Sequence, residues 1–200
     1  MTTTRNRVLV LGAAAAAVLL AGAAAPPAPD AGSGAREPAG VVDTGRLPLV
    51  SYDAEVVPAG ATARVRAAYA EGGGTVVRLR VWGLVPERAY GAHVHASACG
   101  ATDPAAAGGH FQHAQDPVRP STDPAYANPR NEIWLDFTTD AEGAATVRSA
   151  VRWRFPADRH PGSVVLHDRH TAAGPAGLAG TAGARHGCLD VPFGDAVQAG

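Results

Sequence analysis

From Leu47 onward the chain contains no segment in which apolar residues recur every 3.6 positions over the roughly 11 residues that mark an amphipathic helix. Short runs rich in Val, Leu, Tyr, Trp and Thr recur instead, with Gly or Pro between them. That pattern predicts an all-β domain with strands near 49–57, 62–70, 75–82, 90–96, 132–138, 144–151, 163–167 and 185–190. Eight such strands suit a β-sandwich or flattened barrel. The stretch Glu71-Gly72-Gly73-Gly74 suits a hairpin, because Gly takes positive φ without strain. Two connections stay long and irregular, 96–130 and 167–185, and loops of that length in a compact domain usually carry function.

The 200 residues fit one domain behind a leader. Arg5 and Arg7 precede 13 mostly apolar residues from Val8 to Leu20, and Ala23-Ala24-Ala25 offers a small-residue cleavage site. Residues 1–25 therefore read as a signal peptide, and the protein as secreted or extracytoplasmic, in the cell envelope or beyond it. The apolar run is shorter than the about 20 residues a spanning helix needs, so no membrane span is expected. Residues 26–46 read as a disordered Ala/Pro/Gly-rich spacer, 47–193 as the β domain and 194–200 as a disordered tail. Gly (24) and Pro (16) make up a fifth of the chain and 46% of residues are hydrophobic, so a packed core is feasible. All 17 basic residues are Arg, against 18 acids, and no basic block is visible along the sequence, which argues against nucleic acid as a partner.

Cys99 and Cys188 are the two cysteines, each where a long loop meets a strand. In an exported chain a disulfide is the expectation, closing 89 sequence steps. Two buried free thiols are the alternative, and metal ligation lacks the C-x-x-C spacing that would favour it.

The eight histidines are the unusual feature of the composition. In Gly91-Ala92-His93-Val94-His95, a strand would turn His93 and His95 to one face and Val94 to the other, so the two imidazoles can chelate. Taken alone, that pair is weak evidence of a metal site and is more often two surface or hydrogen-bonded histidines. His110 follows paired glycines in Gly108-Gly109-His110-Phe111, and His167 ends the apolar run Ser163-Val164-Val165-Leu166-His167. The remaining His113, His160, His170 and His186 have no motif partner and read as solvated loop residues, with His170 near enough to His167 to line the mouth of a site.

The ordered set G-A-H-V-H, Cys99, G-G-H-F, S-V-V-L-H-D and G-T-A-G-A-R-H-G-C, spread over 51–191, resembles the copper/zinc superoxide dismutase family. The resemblance implies an eight-stranded Greek-key β-sandwich with two long functional loops and one disulfide, pairing Cys99 with Cys188. It implies copper held by His93, His95, His110 and His167, with superoxide as substrate. Arg185 matches the arginine that guides the anion, and His110 the ligand that also delivers a proton. Because the family contains both monomers and dimers, a homodimer is possible.

Family zinc sites add two His and an Asp from the loop after the bridging His, and here that loop offers only His113, Asp116 and Asp123. A complete zinc site is thus not expected, and the chain resembles the copper-only branch, in which a carboxylate holds the bridging His. Glu132 is the candidate and Asp136 the runner-up; the physical need is that a ligating imidazole has its other nitrogen hydrogen-bonded. Imidazole alone does not select copper over zinc, but zinc has no one-electron couple for dismutation. The second loop carries little charge between His167 and Arg185 beyond Asp168, Arg169 and His170, predicting an open site with weak anion steering. The resemblance thus implies an extracytoplasmic copper-dependent superoxide dismutase, with a copper-binding or copper-delivery protein on the same scaffold as the alternative.

Overall fold

A computed structural model describes residues 40–69 and 73–196. The expected signal peptide, the expected spacer up to residue 39, the first half of the expected 71–74 hairpin and the end of the expected tail lie outside the described residues. Among the described residues ten antiparallel strands form two five-stranded sheets, a Greek-key β-sandwich. They are β1 (Val41–Asp43), β2 (Leu47–Pro48), β3 (Val50–Ser51), β4 (Thr62–Tyr69), β5 (Thr75–Trp82), β6 (Ala89–His95), β7 (Phe137–Thr138), β8 (Ala145–Val151), β9 (Ser163–His167) and β10 (Arg185–Asp190). The first sheet runs β1-β4-β5-β8 with β2 also on β4, and the second runs β3-β10-β9-β6-β7. Among the described residues the only helical turns are short 3-10 segments at Pro104–Ala107 and Phe193–Ala196.

Three departures from the sequence expectation have identifiable causes. Val41–Asp43 pairs in register with β4, so the last residues assigned to a disordered spacer form a sheet edge, with Val42 buried. The expected first strand breaks at Leu49, where the chain leaves β4 of one sheet and joins β10 of the other. Such sheet-switching corners are how a sandwich closes its ends. Beyond the corner, residues 53–57 turn on Asp53, whose backbone carbonyl accepts from Val56 and Val57. The expected strand 132–138 keeps regular pairing only at Phe137–Thr138. Upstream of it Leu135 N–H still donates to the Ala92 carbonyl (2.7 Å), but the Ala92 N–H is taken by the Asp136 carboxylate (3.2 Å), which interrupts the ladder.

Alternation along β4 and β5 turns Ala63, Val65, Ala67, Val77, Leu79 and Val81 inward against Tyr90, Val94, Val164 and Leu166 of the second sheet. β6 and β9 are buried on both faces. Their inner residues pack in the core, while His93, His95, Val165 and His167 face outward beneath the two long loops. His93, His95 and His167 therefore sit outside the hydrophobic core, on a sheet roofed by irregular chain.

A disulfide joins Cys99 to Cys188 (S–S 2.01 Å), pinning the first long loop to β10 beside Ala107 and Val165. Cys99 N–H also donates to the Asp190 carboxylate (2.7 Å), and Tyr52 hydroxyl to the Gly100 carbonyl (2.8 Å). No helix among the described residues is long and apolar enough to cross a membrane.

Candidate metal centre

β6 presents His93 and His95 on one face, as period-two alternation requires. β9 runs antiparallel beside it, with Gly91 opposite His167. The loop after β6 doubles back so that His110 bridges to His95 and Phe111 N–H donates to the Val94 carbonyl (2.8 Å). Four imidazoles from distant stretches of chain thus converge, with ring centroids between 3.8 and 6.3 Å apart. One nitrogen of each lies within 4.8 Å of the others.

Hydrogen bonding fixes which nitrogen that is. His95 Nδ1 faces the Gly108 carbonyl (3.0 Å), His167 Nδ1 the Gly183 carbonyl (3.4 Å) and His110 Nδ1 the Glu132 carboxylate (2.8 Å). Carbonyl and carboxylate oxygens only accept, so each Nδ1 carries a proton and in the neutral ring each Nε2 keeps a lone pair, those of His95 and His167 facing each other at 3.2 Å. His93 is reversed. Its Nε2 lies 2.7 Å from Thr171 Oγ1, whose own hydrogen goes to Asp136 Oδ1 (2.7 Å), so Nε2 is the donor and Nδ1 is bare. His93 Nδ1 is buried without a hydrogen-bond partner, an orphan that a metal ion would satisfy. Three Nε2 atoms and one Nδ1 thus offer the donor set that borderline transition metals prefer, each ring oriented from behind.

Electrostatics keep His93, His95 and His167 in their ligating form. Burial, reinforced by the neighbouring histidines and Arg185, pushes His93 and His95 well below the ordinary imidazole value. Burial, then His110, pushes His167 down to about 3. Neutral imidazole is the form that binds metal.

Glu132 lies directly behind His110, 1% exposed. Besides His110 it accepts from Gln112 Nε2 (2.7 Å) and Trp134 Nε1 (2.7 Å), so the buried charge has three donors. Asp136 stands behind His93 instead of His110, taking the Thr171 hydroxyl and backbone N–H (2.7 Å each). Sequence reasoning did not identify Gln112, Trp134 or Thr171. Gln112 follows His110, and Trp134 follows Glu132, by two positions in extended chain, a same-face spacing that could have flagged them. No sequence signal links Thr171 to a partner 35 residues away.

Of the residues considered for a second ion, His113 stacks on Trp153 (5.0 Å between centroids) and Asp116 accepts from Ser121 and Val118. Asp123 accepts from the Ala125 N–H. His186 is not the solvated loop residue expected: it lies on β10, with Nδ1 3.2 Å from Asp53.

Arg185, opposite His167 on β10, donates to the carbonyls of Pro104 (2.8 Å) and Gly108 (2.7 Å). The Gly108 carbonyl also receives His95 Nδ1–H, so the guanidinium and a candidate ligand share one anchor. A cleft of about 560 Å³ opens over His110 and His167, lined also by Arg119, Ser121, Arg169 and Arg185. The expectation of a weakly charged entrance considered only the second loop; Arg119 arrives from the first. The loops meet where Gly177 N–H donates to the Thr122 carbonyl (3.0 Å). At Gly91 a side chain would collide with the Arg169 carbonyl and Ala182, so glycine lets the second loop lie against the sheet beside the centre.

No protein-family model matches the chain, and no curated protein matches it in sequence. Solved structures share its fold. A double mutant of a SOD-like protein from Bacillus subtilis is 17% identical, with TM-score 0.51 over 73% of this chain and 95% of that one. Cu/Zn superoxide dismutase from Brucella abortus is 22% identical, with TM-score 0.50 over 74% and 98%. The clock protein EA4 is 16% identical, with TM-score 0.50 over 78% and 94%. Proteins of such different description on one scaffold leave function to be argued from the site.

Proposed function

We propose that the chain is an extracytoplasmic copper-dependent superoxide dismutase without a complete zinc site. The observation carrying this reading is the set of four inward lone pairs on His93, His95, His110 and His167, one of them a buried nitrogen with no other partner. Copper, when bound, supplies the one-electron couple that oxidises one superoxide to oxygen and reduces a second, with two protons, to hydrogen peroxide. Arg185 stays charged at any relevant pH and draws the small anion into the cleft above His110 and His167. His110 is the least buried of the four and borders that cleft, so its Nε2 is positioned to carry a proton to the reduced product. Glu132 keeps the other proton of that ring on Nδ1.

The same bond supports the absence of a second ion: with Nδ1 donating to Glu132, His110 has no nitrogen left to bridge two metals. The disulfide and the sequence of the leader support a place outside the cytoplasm.

The test is to load the full chain with copper, measure metal stoichiometry and superoxide decay, and repeat with His167→Ala and Arg185→Ala. About one copper and no zinc per chain, with activity lost in His167→Ala and reduced in Arg185→Ala, is expected. Full activity in His167→Ala would overturn the reading, and stoichiometric copper without turnover would replace it with a copper carrier.

A further inference from the structure

The chain offers hydrogen peroxide few of the side chains it usually attacks. Its one methionine, Met1, falls in the expected signal peptide, and both cysteines are joined in the disulfide. The sulfur targets of peroxide are therefore missing from the described residues. Indole and phenol are the next most easily oxidised groups. Among the described residues no tyrosine ring meets the four imidazoles, and Trp134 is the one indole that does. It stands across from His93 and meets that ring edge-on, 6.1 Å between centroids.

The three indoles also differ in charge. Trp82 lies beneath the guanidiniums of Arg46 and Arg80, at 4.5 and 4.8 Å, and two positive charges oppose removal of an electron from the ring. Trp153 stacks on His113 and donates to the neutral Arg130 carbonyl (2.8 Å). Trp134 Nε1–H donates to the Glu132 carboxylate (2.7 Å), which stabilises the positive charge an indole acquires as it is oxidised. Glu132 is buried, borders the cleft and holds His110, so Trp134 reaches one candidate ligand directly and a second through one carboxylate.

We propose that Trp134 is the residue of this chain that hydrogen peroxide oxidises, in place of the imidazoles that hold the ion. The inference rests on the dismutase reading, in which peroxide is the product and bound copper supplies the one-electron couple that activates it. In the net step the O–O bond breaks and one oxygen becomes a carbonyl on indole C2. The C2 hydrogen ends on C3, two electrons pass from the ring to the peroxide, and the second oxygen leaves as water with both peroxide hydrogens. The resulting oxindole keeps its N–H, so Glu132 keeps three donors and His110 its anchor. An imidazole taking the same oxygen between its two nitrogens would turn both into amide-like N–H groups, with no lone pair for a metal.

The experiment loads the full chain with copper, measures metal content and superoxide decay, then adds graded hydrogen peroxide and maps tryptic peptides by mass. Cleavage after Arg130 and Arg148 releases Trp134 on a peptide free of His, Cys and Tyr. The first gain of one oxygen should fall on that peptide, with Trp82 and Trp153 unchanged, copper retained, and no gain in copper-free chain at the same dose. In Trp134→Phe the oxygen should move to His93, His95, His110 or His167, and copper should be lost at a lower dose. Should that variant load poorly, the peptide map of the parent decides alone. A loaded, dismutating parent oxidised first at an imidazole, or equally oxidised at Trp134 without copper, would overturn the proposal and leave the dismutase reading standing. A chain that takes no copper would overturn both.

Discussion

Exchanging Glu132 for glutamine keeps the volume of the side chain but removes its charge and one of its two acceptors. In the parent, Oε2 accepts from both His110 and Trp134 and Oε1 accepts from Gln112. A glutamine that turns its oxygen toward His110 and Trp134 points its amide N–H₂ at the Gln112 amide. Gln112 would have to flip to respond, and its oxygen is held by the Asp116 N–H (3.0 Å). One buried donor is left unsatisfied either way, a cost of about 1–3 kcal/mol to the apo fold. The second effect is on the metal: a neutral acceptor orients and polarises His110 less well, and outer partners of ligating histidines are typically worth 10–100-fold in affinity. Copper affinity should therefore fall about 10–100-fold, or about 1.4–2.8 kcal/mol, in a competition titration against a chelator of known strength. Glu132→Ala, which strands three donors, should lose more on both measures. An apo protein that melts earlier but binds copper as tightly as the parent would refute the reasoning, because it would make Glu132 a purely structural carboxylate.

Replacing Cys99 and Cys188 by serine reopens a loop of 89 sequence steps, and urea denaturation should register a loss of about 4–5 kcal/mol; a loss under about 1 kcal/mol would contradict it. Because His167 is held at about 3 against 6.5 when unfolded, the unfolded chain binds a proton below pH 6.5 that the folded chain refuses. Copper-free protein should accordingly lose about 1.4 kcal/mol per pH unit through this group as pH falls from 6.5 toward 3, and a flat urea midpoint across that range would contradict it. With Arg119, Arg169 and Arg185 around the cleft, kcat/KM for superoxide should drop at least about threefold between 10 and 150 mM salt, and less steeply in Arg119→Gln. A salt-independent rate would restore the expectation of weak steering.

The strands β4, β5, β8, β9 and β10 were legible because alternation or an apolar run survives in a one-dimensional reading. The shared face of His93 and His95 was legible for the same reason, since a period of two needs no knowledge of the partner strand. Val41–Asp43 was not legible, because three residues beside a Gly- and Pro-rich stretch acquire strand geometry only from pairing with β4. The interruption at Asp136 was hidden because its carboxylate replaces a backbone acceptor, a substitution that looks like ordinary strand sequence until Ala92 is beside it. Glu132 was readable as a candidate only through family resemblance, and the place of Asp136, the runner-up for that role, behind His93 was hidden because Thr171, which completes the link, belongs to the other long loop.

The imidazoles occupy the outer side of the second sheet, while apolar packing fills the space between the two sheets. An ion held there would thus be a tenant and not a keystone. A chain built this way can finish folding and oxidise its cysteines before any metal arrives, and would be charged last if it takes one. Chelators should disarm such a protein without dissolving it, and the same empty molecule should accept its cargo again.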